Sequence, residues 1–188
     1  ADAPWQALTL PDAWDSSRPD YEGYVWYRLR FATPAGWQGP LALYLPSVSM
    51  NAQVELNGQL LGQHGRMHEP VTRHFYTPLI FALPPVLLRP PGQDNELRIL
   101  LVGYRLYRSG LAPVSVGAAE PLQQAWATRH FWQNTGTLMR LFACLGVAMD
   151  IIEPCGFLLT DRNLKRSGMD YLDHLDLTRH MDWQRFCD

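Results

Sequence analysis

The pattern of hydrophobic and polar positions predicts short antiparallel strands through the first two-thirds of the chain. Residues 25–31 alternate cleanly, with Val25, Tyr27, Leu29 and Phe31 on one face and Trp26, Arg28 and Arg30 on the other. Such alternation is typical of a strand with one buried face. Leu41, Leu43 and Leu45 mark a second strand, with Ala42 and Tyr44 facing the opposite way.

A hairpin follows over residues 52–64, where two alternating runs meet at Asn57-Gly58. A two-residue turn that matches strand twist needs positive φ at both central positions, which Asn and Gly tolerate. Residues 79–83 and 96–104 predict further strands, and residues 111–117 predict a last one. Short strands separated by turns, without long helices between them, predict an all-β fold, a jelly-roll β-sandwich.

The pattern changes after residue 120. Pro121 suits the first turn of a helix, and Leu122, Trp126 and His130 follow at helical spacing. Residues 138–152 are nearly all apolar, but the run is shorter than the about 20 residues of a membrane span. It is either a truncated first span or a buried helix. We therefore expect a β-sandwich over 1–120, a helical connector over 121–152 that could begin a membrane helix, and a polar tail over 153–188.

Composition and charge narrow the kinds of partner and functional site that we expect. The net charge of −2, without a basic stripe, gives no reason to expect a nucleic-acid partner. The three cysteines (Cys144, Cys155 and Cys187) lie in the last quarter, so a disulfide framework for the β-rich part is excluded. No metal, cofactor or catalytic residue is predicted, because the carboxylates are scattered and no nucleophile or phosphate motif occurs.

The richest polar cluster lies in the loop after the hairpin. Loops on a rigid sandwich commonly carry recognition, and Arg and Tyr suit carboxylates and sugars. The alternative is a structural role or a partner interface. The predicted ligand-binding residues are those of this loop together with two tyrosines after the 96–104 strand: His64, Arg66, His68, Glu69, Arg73, His74, Tyr76, Tyr104 and Tyr107.

The order of these motifs resembles the galactose-binding-like jelly roll. The strand Trp26-Tyr27-Arg28 and the hairpin from Val54 to His64 are similar to the sugar-binding domain of beta-glucuronidase and beta-galactosidase type glycoside hydrolases. The segment 41–52 and the loop 69–74 resemble more closely the periplasmic sensor domain of bacterial membrane-bound histidine kinases. The resemblance covers about residues 20–120, and the tail from Glu153 departs from both families.

This resemblance implies a non-enzymatic sensing or ligand-binding domain of a two-component signalling protein. The alternative is a carbohydrate-binding accessory domain of a glycoside hydrolase. The implied partners are a small molecule such as a saccharide and a second copy of the chain, with membrane attachment in a longer parent protein. The implied location is periplasmic, and the start Ala1-Asp2-Ala3 would suit a processed end.

Overall fold

The computed structural model describes residues 4–72, 74, 77–105, 109–153 and 174–187. The chain divides into two compact units, residues 1–126 and residues 127–188.

The first unit is built mainly from antiparallel strands. In chain order its elements are β1 (Asp12–Ala13), α1 (Trp14–Ser17), β2 (Gly23–Ala32), β3 (Leu41–Val48), β4 (Asn51–Leu56), β5 (Gln59–His64), β6 (Thr77–Leu83), a 3-10 turn (Pro85–Leu87), β7 (Asp94–Gly103), β8 (Gly110–Leu111) and β9 (Ser115–Ala118).

These strands form two sheets. One has the order β1-β8-β3-β6 with β9 also paired to β3, and the other has the order β2-β7-β4-β5. The strand pairs are antiparallel, and β2 and β7 stay in register over ten residue pairs, from Gly23↔Gly103 to Ala32↔Asp94. The mainly β character predicted from the alternation is confirmed.

Both sheets contribute to one hydrophobic core. Leu43 and Leu45 from β3, Val54 from β4, and Ile99 and Leu101 from β7 are all 0% exposed and belong to the same cluster. The hairpin turn also has the predicted geometry, with φ of 50° at Asn57 and 83° at Gly58. The side chain of Asn57 then bonds to the backbone of Leu87 at 2.8 Å, which ties the hairpin to the 3-10 turn.

Two predicted details of this unit differ from the structure. Ala42 and Tyr44 are buried like the leucines beside them, so both faces of β3 are covered rather than one. The predicted strand over 111–117 is divided into β8 and β9, which both pair with β3. Pro113 lies in the gap, where its missing N–H prevents a continuous ladder.

The unit boundary falls within α2 (Ala119–Leu145). The second unit continues with β10 (Met149–Ile152), β11 (Leu177–His180) and α3 (Trp183–Cys187). β10 and β11 pair in parallel, from Met149↔Leu177 to Ile152↔His180. This parallel pair was not predicted from the sequence.

The apolar run over 138–152 is therefore not one helix. Its first half completes α2, a turn follows in which Val147 donates to the carbonyl of Phe142 at 3.0 Å, and its last residues form β10. Among the described residues, we find no helix with the length and apolar character needed to cross a membrane.

Candidate functional site

The predicted ligand-binding loop between β5 and β6 is fixed to the sheet by Asn51. The Asn51 side chain is 0% exposed, and its Nδ2 donates to the carbonyl of Arg66 at 2.8 Å and to that of Thr72 at 2.7 Å. Thr72 Oγ1 donates to Asn51 Oδ1 at 3.2 Å and accepts from the Arg66 amide at 2.7 Å. A buried amide with its donors and acceptor satisfied thus sets the path of the loop.

Gly65 lets the chain pass over this amide. Its φ is +76°, and a Cβ at this position would lie 2.0 Å from Asn51 Oδ1. No side chain fits there without moving Asn51, so the start of the loop requires glycine.

A small apolar cluster lies beside the same loop. Met50, Met67 and Val102 are 1%, 8% and 2% exposed and pack together. The Tyr24 hydroxyl also donates to the Met67 carbonyl. Met67 therefore holds the middle of the loop in place, whereas the side chains of Arg66, His68 and Glu69 are exposed.

Two of the predicted residues form a pair across the loop. The hydroxyl of Tyr104, which follows β7, donates to Glu69 Oε1. The hydrogen bond to Glu69 and the negative charge beside it raise the pKa of Tyr104 to about 12. Tyr104 is therefore a neutral hydrogen-bond donor at physiological pH.

His64 and His74 form a second pair, with ring centroids 4.5 Å apart. His64 Nε2 is buried without a hydrogen-bond partner. Burial, and then the charge of His74, lower the pKa of His64. The His64 ring is thus better suited to packing in its neutral form than to carrying charge.

The structure brings together His64 with His74 and Glu69 with Tyr104, while Arg66 turns back to the carbonyl of Pro70 at 3.3 Å. His68 is exposed. Arg73, Tyr76 and Tyr107 lie outside the described residues. Within the described part of the chain, no group of three or more His, Cys, Asp or Glu side chains could hold a metal ion. Ligand binding by this loop stays a prediction.

The second unit contains a polar cluster that the sequence reasoning missed. His180, at the end of β11, places Nε2 2.7 Å from Asp150 Oδ1 and Nδ1 3.2 Å from the Arg185 carbonyl. Arg179 contacts Glu153 Oε1 through Nε at 2.8 Å and Nη2 at 2.5 Å. These two contacts link β11 to β10 and to Glu153, the residue that follows β10.

Strand alternation puts these pairs on opposite faces of the two-stranded ribbon. The strand partner of Asp150 is Thr178, two positions before His180. The strand partner of Arg179 is Ile151, two positions before Glu153. Each contact is therefore a diagonal cross-strand pair. No local alternation marks β11, because Leu177 is followed by three polar residues.

No protein-family model matches the chain. Curated relatives match a segment of it. The chain is 56% identical over 54 residues to the tRNA (cytidine(34)-2'-O)-methyltransferase of Beijerinckia indica, covering 29% of this chain and 34% of that protein. The enzymes of the same name from Ancylobacter novellus and Escherichia coli K12 are 48% identical over 54 residues and 45% over 53. The chain spans about a third of the length of these relatives.

Solved structures match more weakly. Ruminococcus gnavus beta-glucuronidase aligns with a TM-score of 0.42 and 22% identity, covering 51% of this chain and 16% of that one. Faecalibacterium prausnitzii beta-glucuronidase gives a TM-score of 0.42 and 26% identity over 52% of this chain and 16% of that one. We base no argument on likeness at this level.

The curated relatives overturn the functional expectations. The predicted kinship with histidine-kinase sensor domains is wrong, and so are the sensing and carbohydrate-binding roles, because the matching proteins are named tRNA methyltransferases. The expectation that the chain is no enzyme is wrong for the same reason. That expectation rested on the absence of motifs for hydrolysis and for phosphate binding. Methyl transfer requires neither kind of motif.

The curated relatives also correct the expected partners and location. The exclusion of nucleic acid and the suggestion of a saccharide conflict with relatives that are named for tRNA. The expected second copy and membrane attachment are withdrawn with the same set of partners. The periplasmic location depended on the sensor resemblance and is overturned by the same relatives. Net charge is a weak guide to such a partner because it averages over the whole chain, whereas a nucleic-acid contact needs only a local surface.

Proposed function

We propose that this chain takes part in the 2'-O-methylation of tRNA. The observation that carries the proposal is the 56% identity over 54 residues to a tRNA (cytidine(34)-2'-O)-methyltransferase. The matched enzymes from three organisms share this name and cover nearly the same share of the chain. The substrate we propose is accordingly the ribose hydroxyl of a tRNA nucleotide.

We place the matched segment in the second unit, residues 127–188. The length of the match is close to that of this unit. Parallel strands require a long crossover connection and are typical of α/β folds, whose ligands bind beyond the carboxyl ends of the strands. The parallel pair of β10 and β11 therefore suits an enzyme that holds nucleotides better than the antiparallel sheets of the first unit do.

The charged side chains at the ends of these strands suit the reaction. In methyl transfer the ribose 2'-oxygen forms a bond to the methyl carbon, the bond between that carbon and its donor breaks, and the hydroxyl proton leaves. A histidine held by a carboxylate can accept such a proton, and His180 is held in this way by Asp150. Arg179 uses only Nε and Nη2 for Glu153 and is 45% exposed, so its other N–H groups can reach a phosphate.

For the first unit we propose the jelly-roll β-sandwich, with residues 1–120 as a binding module. Two antiparallel sheets that share one core support this fold. The loop residues His64, Arg66, His68, Glu69, Arg73, His74, Tyr76, Tyr104 and Tyr107 remain the proposed contact surface of this module. The anchoring by Asn51 supports a preformed loop, because little ordering is needed on contact.

The test is methyl transfer and binding with two tRNA transcripts. One carries an ordinary cytidine at position 34, and the other carries 2'-deoxycytidine there. With S-adenosylmethionine labelled in its methyl group, we expect incorporation into the first transcript and none into the second. The proposal fails if the labelling of the two transcripts is equal, or if neither transcript is bound.

A matched pair of variants tests the assignment of His180. We expect His180→Gln to reduce methyl transfer and to leave tRNA binding unchanged. His174→Gln is the control, since His174 is also in the second unit and is exposed. Equal effects of the two substitutions would remove His180 from the mechanism without touching the overall proposal.

A further inference from the structure

The solvent-facing side of β2 combines arginine with tryptophan. Trp26, Arg28 and Arg30 are exposed, and they alternate with Tyr27 and Leu29, whose side chains pack into the core. Strand alternation therefore puts the three exposed side chains in one row, with roughly 6.8 Å between successive members. β2 is the end strand of its sheet, so the row runs along the sheet edge.

The chain before β1 forms the other wall of a groove. Trp5 and Leu8, which are 47% and 48% exposed, line an open groove of about 1410 Å³ together with Trp26, Arg28 and Arg30. The Arg28 guanidinium lies over the Trp5 ring, 4.4 Å from its centroid. An arginine stacked in this way keeps the N–H groups at its edge available to an anion. We call this feature the β2 groove.

The arginines along the β2 groove are only partly balanced by carboxylates. Arg98 lies directly opposite Arg28 across the β2–β7 ladder, and like charges in this arrangement repel each other. Glu96 is opposite Arg30 but pairs with Arg98 instead, at 2.7 Å. Among the residues that the structure describes, no carboxylate pairs with Arg28 or Arg30. A negatively charged ligand in the groove would relieve the repulsion.

Exposed indole rings beside arginines suit a ligand that is both anionic and planar. Single-stranded nucleic acid has both properties, because its phosphates bind arginine and its unpaired bases stack on aromatic side chains. A duplex keeps its base faces inside its own stack. We propose that the β2 groove binds single-stranded nucleic acid, with Arg28 and Arg30 at its phosphates and Trp26 beneath a base. This inference extends the proposed function, since it gives the first unit a part in holding RNA.

The experiment measures RNA binding by the whole chain without a methyl donor, so that binding is separated from catalysis. Fluorescence anisotropy follows a short labelled single-stranded RNA of mixed sequence. The test variants are Arg28→Gln with Arg30→Gln, and Trp26→Leu alone. The matched control is Arg89→Gln with Arg105→Gln, which removes the same charge from two exposed arginines of the first unit outside the groove. Circular dichroism checks that all variants keep the wild-type fold.

We expect the Kd for this RNA to rise about tenfold or more in the double arginine variant and to stay unchanged in the control. Trp26→Leu should raise it about fivefold or more, because a stacking platform is lost. The slope of log Kd against log salt concentration should fall by about 1.4 in the double arginine variant, for two lost phosphate contacts.

The inference is overturned if the RNA does not bind, or if the control loses as much affinity as the double arginine variant. It is also overturned if a duplex of the same sequence, or dextran sulfate, binds as tightly as the single strand, because the surface would then recognise charge alone. Binding that depends on the groove, in a chain that transfers no methyl group to tRNA, would support this inference and count against the proposed function. Methyl transfer with RNA binding unaffected by the double arginine variant would do the reverse.

Discussion

Replacing Asn51 by Ala is expected to release the loop between β5 and β6 and to destabilise the first unit. The substitution removes two hydrogen bonds that Nδ2 donates, at 2.8 and 2.7 Å, and one that Oδ1 accepts, at 3.2 Å. Each is worth about 0.5–1.5 kcal/mol, and water can replace part of this at a surface loop. Loosening Met67, which is 8% exposed, adds up to about 1.5 kcal/mol of lost burial. The expected loss in the free energy of unfolding is therefore about 2–4 kcal/mol.

Urea unfolding of the whole chain measures this loss, and hydrogen exchange of the amides in residues 65–72 shows where it arises. Gln53→Ala is the control, since Gln53 lies on the same strand and its Nε2 bonds only to Glu55 at 3.1 Å. We expect a change below about 0.5 kcal/mol for this control. Asn51→Asp should be worse than Asn51→Ala, because a carboxylate would face two carbonyl oxygens. The reasoning is refuted if Asn51→Ala matches the control, or if it destabilises the chain without faster exchange in the loop.

Three further predictions concern single groups. Burial raises the pKa of Asp12, but hydrogen bonds from Ser17, Tyr27 and Arg18 outweigh this effect and lower the pKa below 3.8. The contribution of the Asp12 carboxylate to stability is therefore present above that pH and is lost as the pH falls below it. The stability difference between wild type and Asp12→Asn, measured by urea unfolding, should therefore shrink below about pH 4, and a constant difference would contradict this. Glu69→Gln should lower the pKa of Tyr104 from about 12, as followed by ultraviolet titration, and an unchanged titration would show that Glu69 is not the cause. Gly65→Ala should lower the free energy of unfolding, measured by heat or urea, by about 1–3 kcal/mol. The alanine Cβ would clash with Asn51 Oδ1, and the backbone would have to keep a positive φ. A neutral effect would disprove the close approach.

The strands of the first unit could be predicted because their signals are local. Alternation over residues 25–31 and the Asn57-Gly58 turn depend only on neighbours in sequence, and both are found as expected. The burial of Ala42 and Tyr44 could not be predicted in this way. It depends on what packs over the second face of β3, which no stretch of β3 itself reveals.

The second unit was harder to predict because its strand pairing is between distant residues. β10 and β11 are separated by residues 153–176, and each strand is only four residues long. The nearly all-apolar stretch 138–152, with Arg140 and Asp150 as its charged residues, also covers both the end of α2 and β10. Periodicity alone therefore could not separate the two elements, although Gly146, a common residue after a helix end, lies just beyond α2.

The candidate sites also combine features that local sequence predicts with features that depend on contacts between distant residues. Residue type correctly marked a polar loop at residues 64–74, but the role of Asn51 depends on a contact with Arg66 and Thr72 across the fold. The cluster around His180 was missed because the partners of His180 and Arg179, which are Asp150 in β10 and Glu153 just after it, are distant in sequence. The functional prediction followed residues 20–120, where the resemblance lay, and left the tail without a role.

The most direct test of the central claim is nucleoside mass spectrometry of tRNA from cells of the source organism with and without the gene for this chain. The account predicts that 2'-O-methylcytidine at position 34 disappears when the gene is deleted and returns when it is restored. If the modification at this position is the same in both strains, the proposed part in tRNA methylation is contradicted.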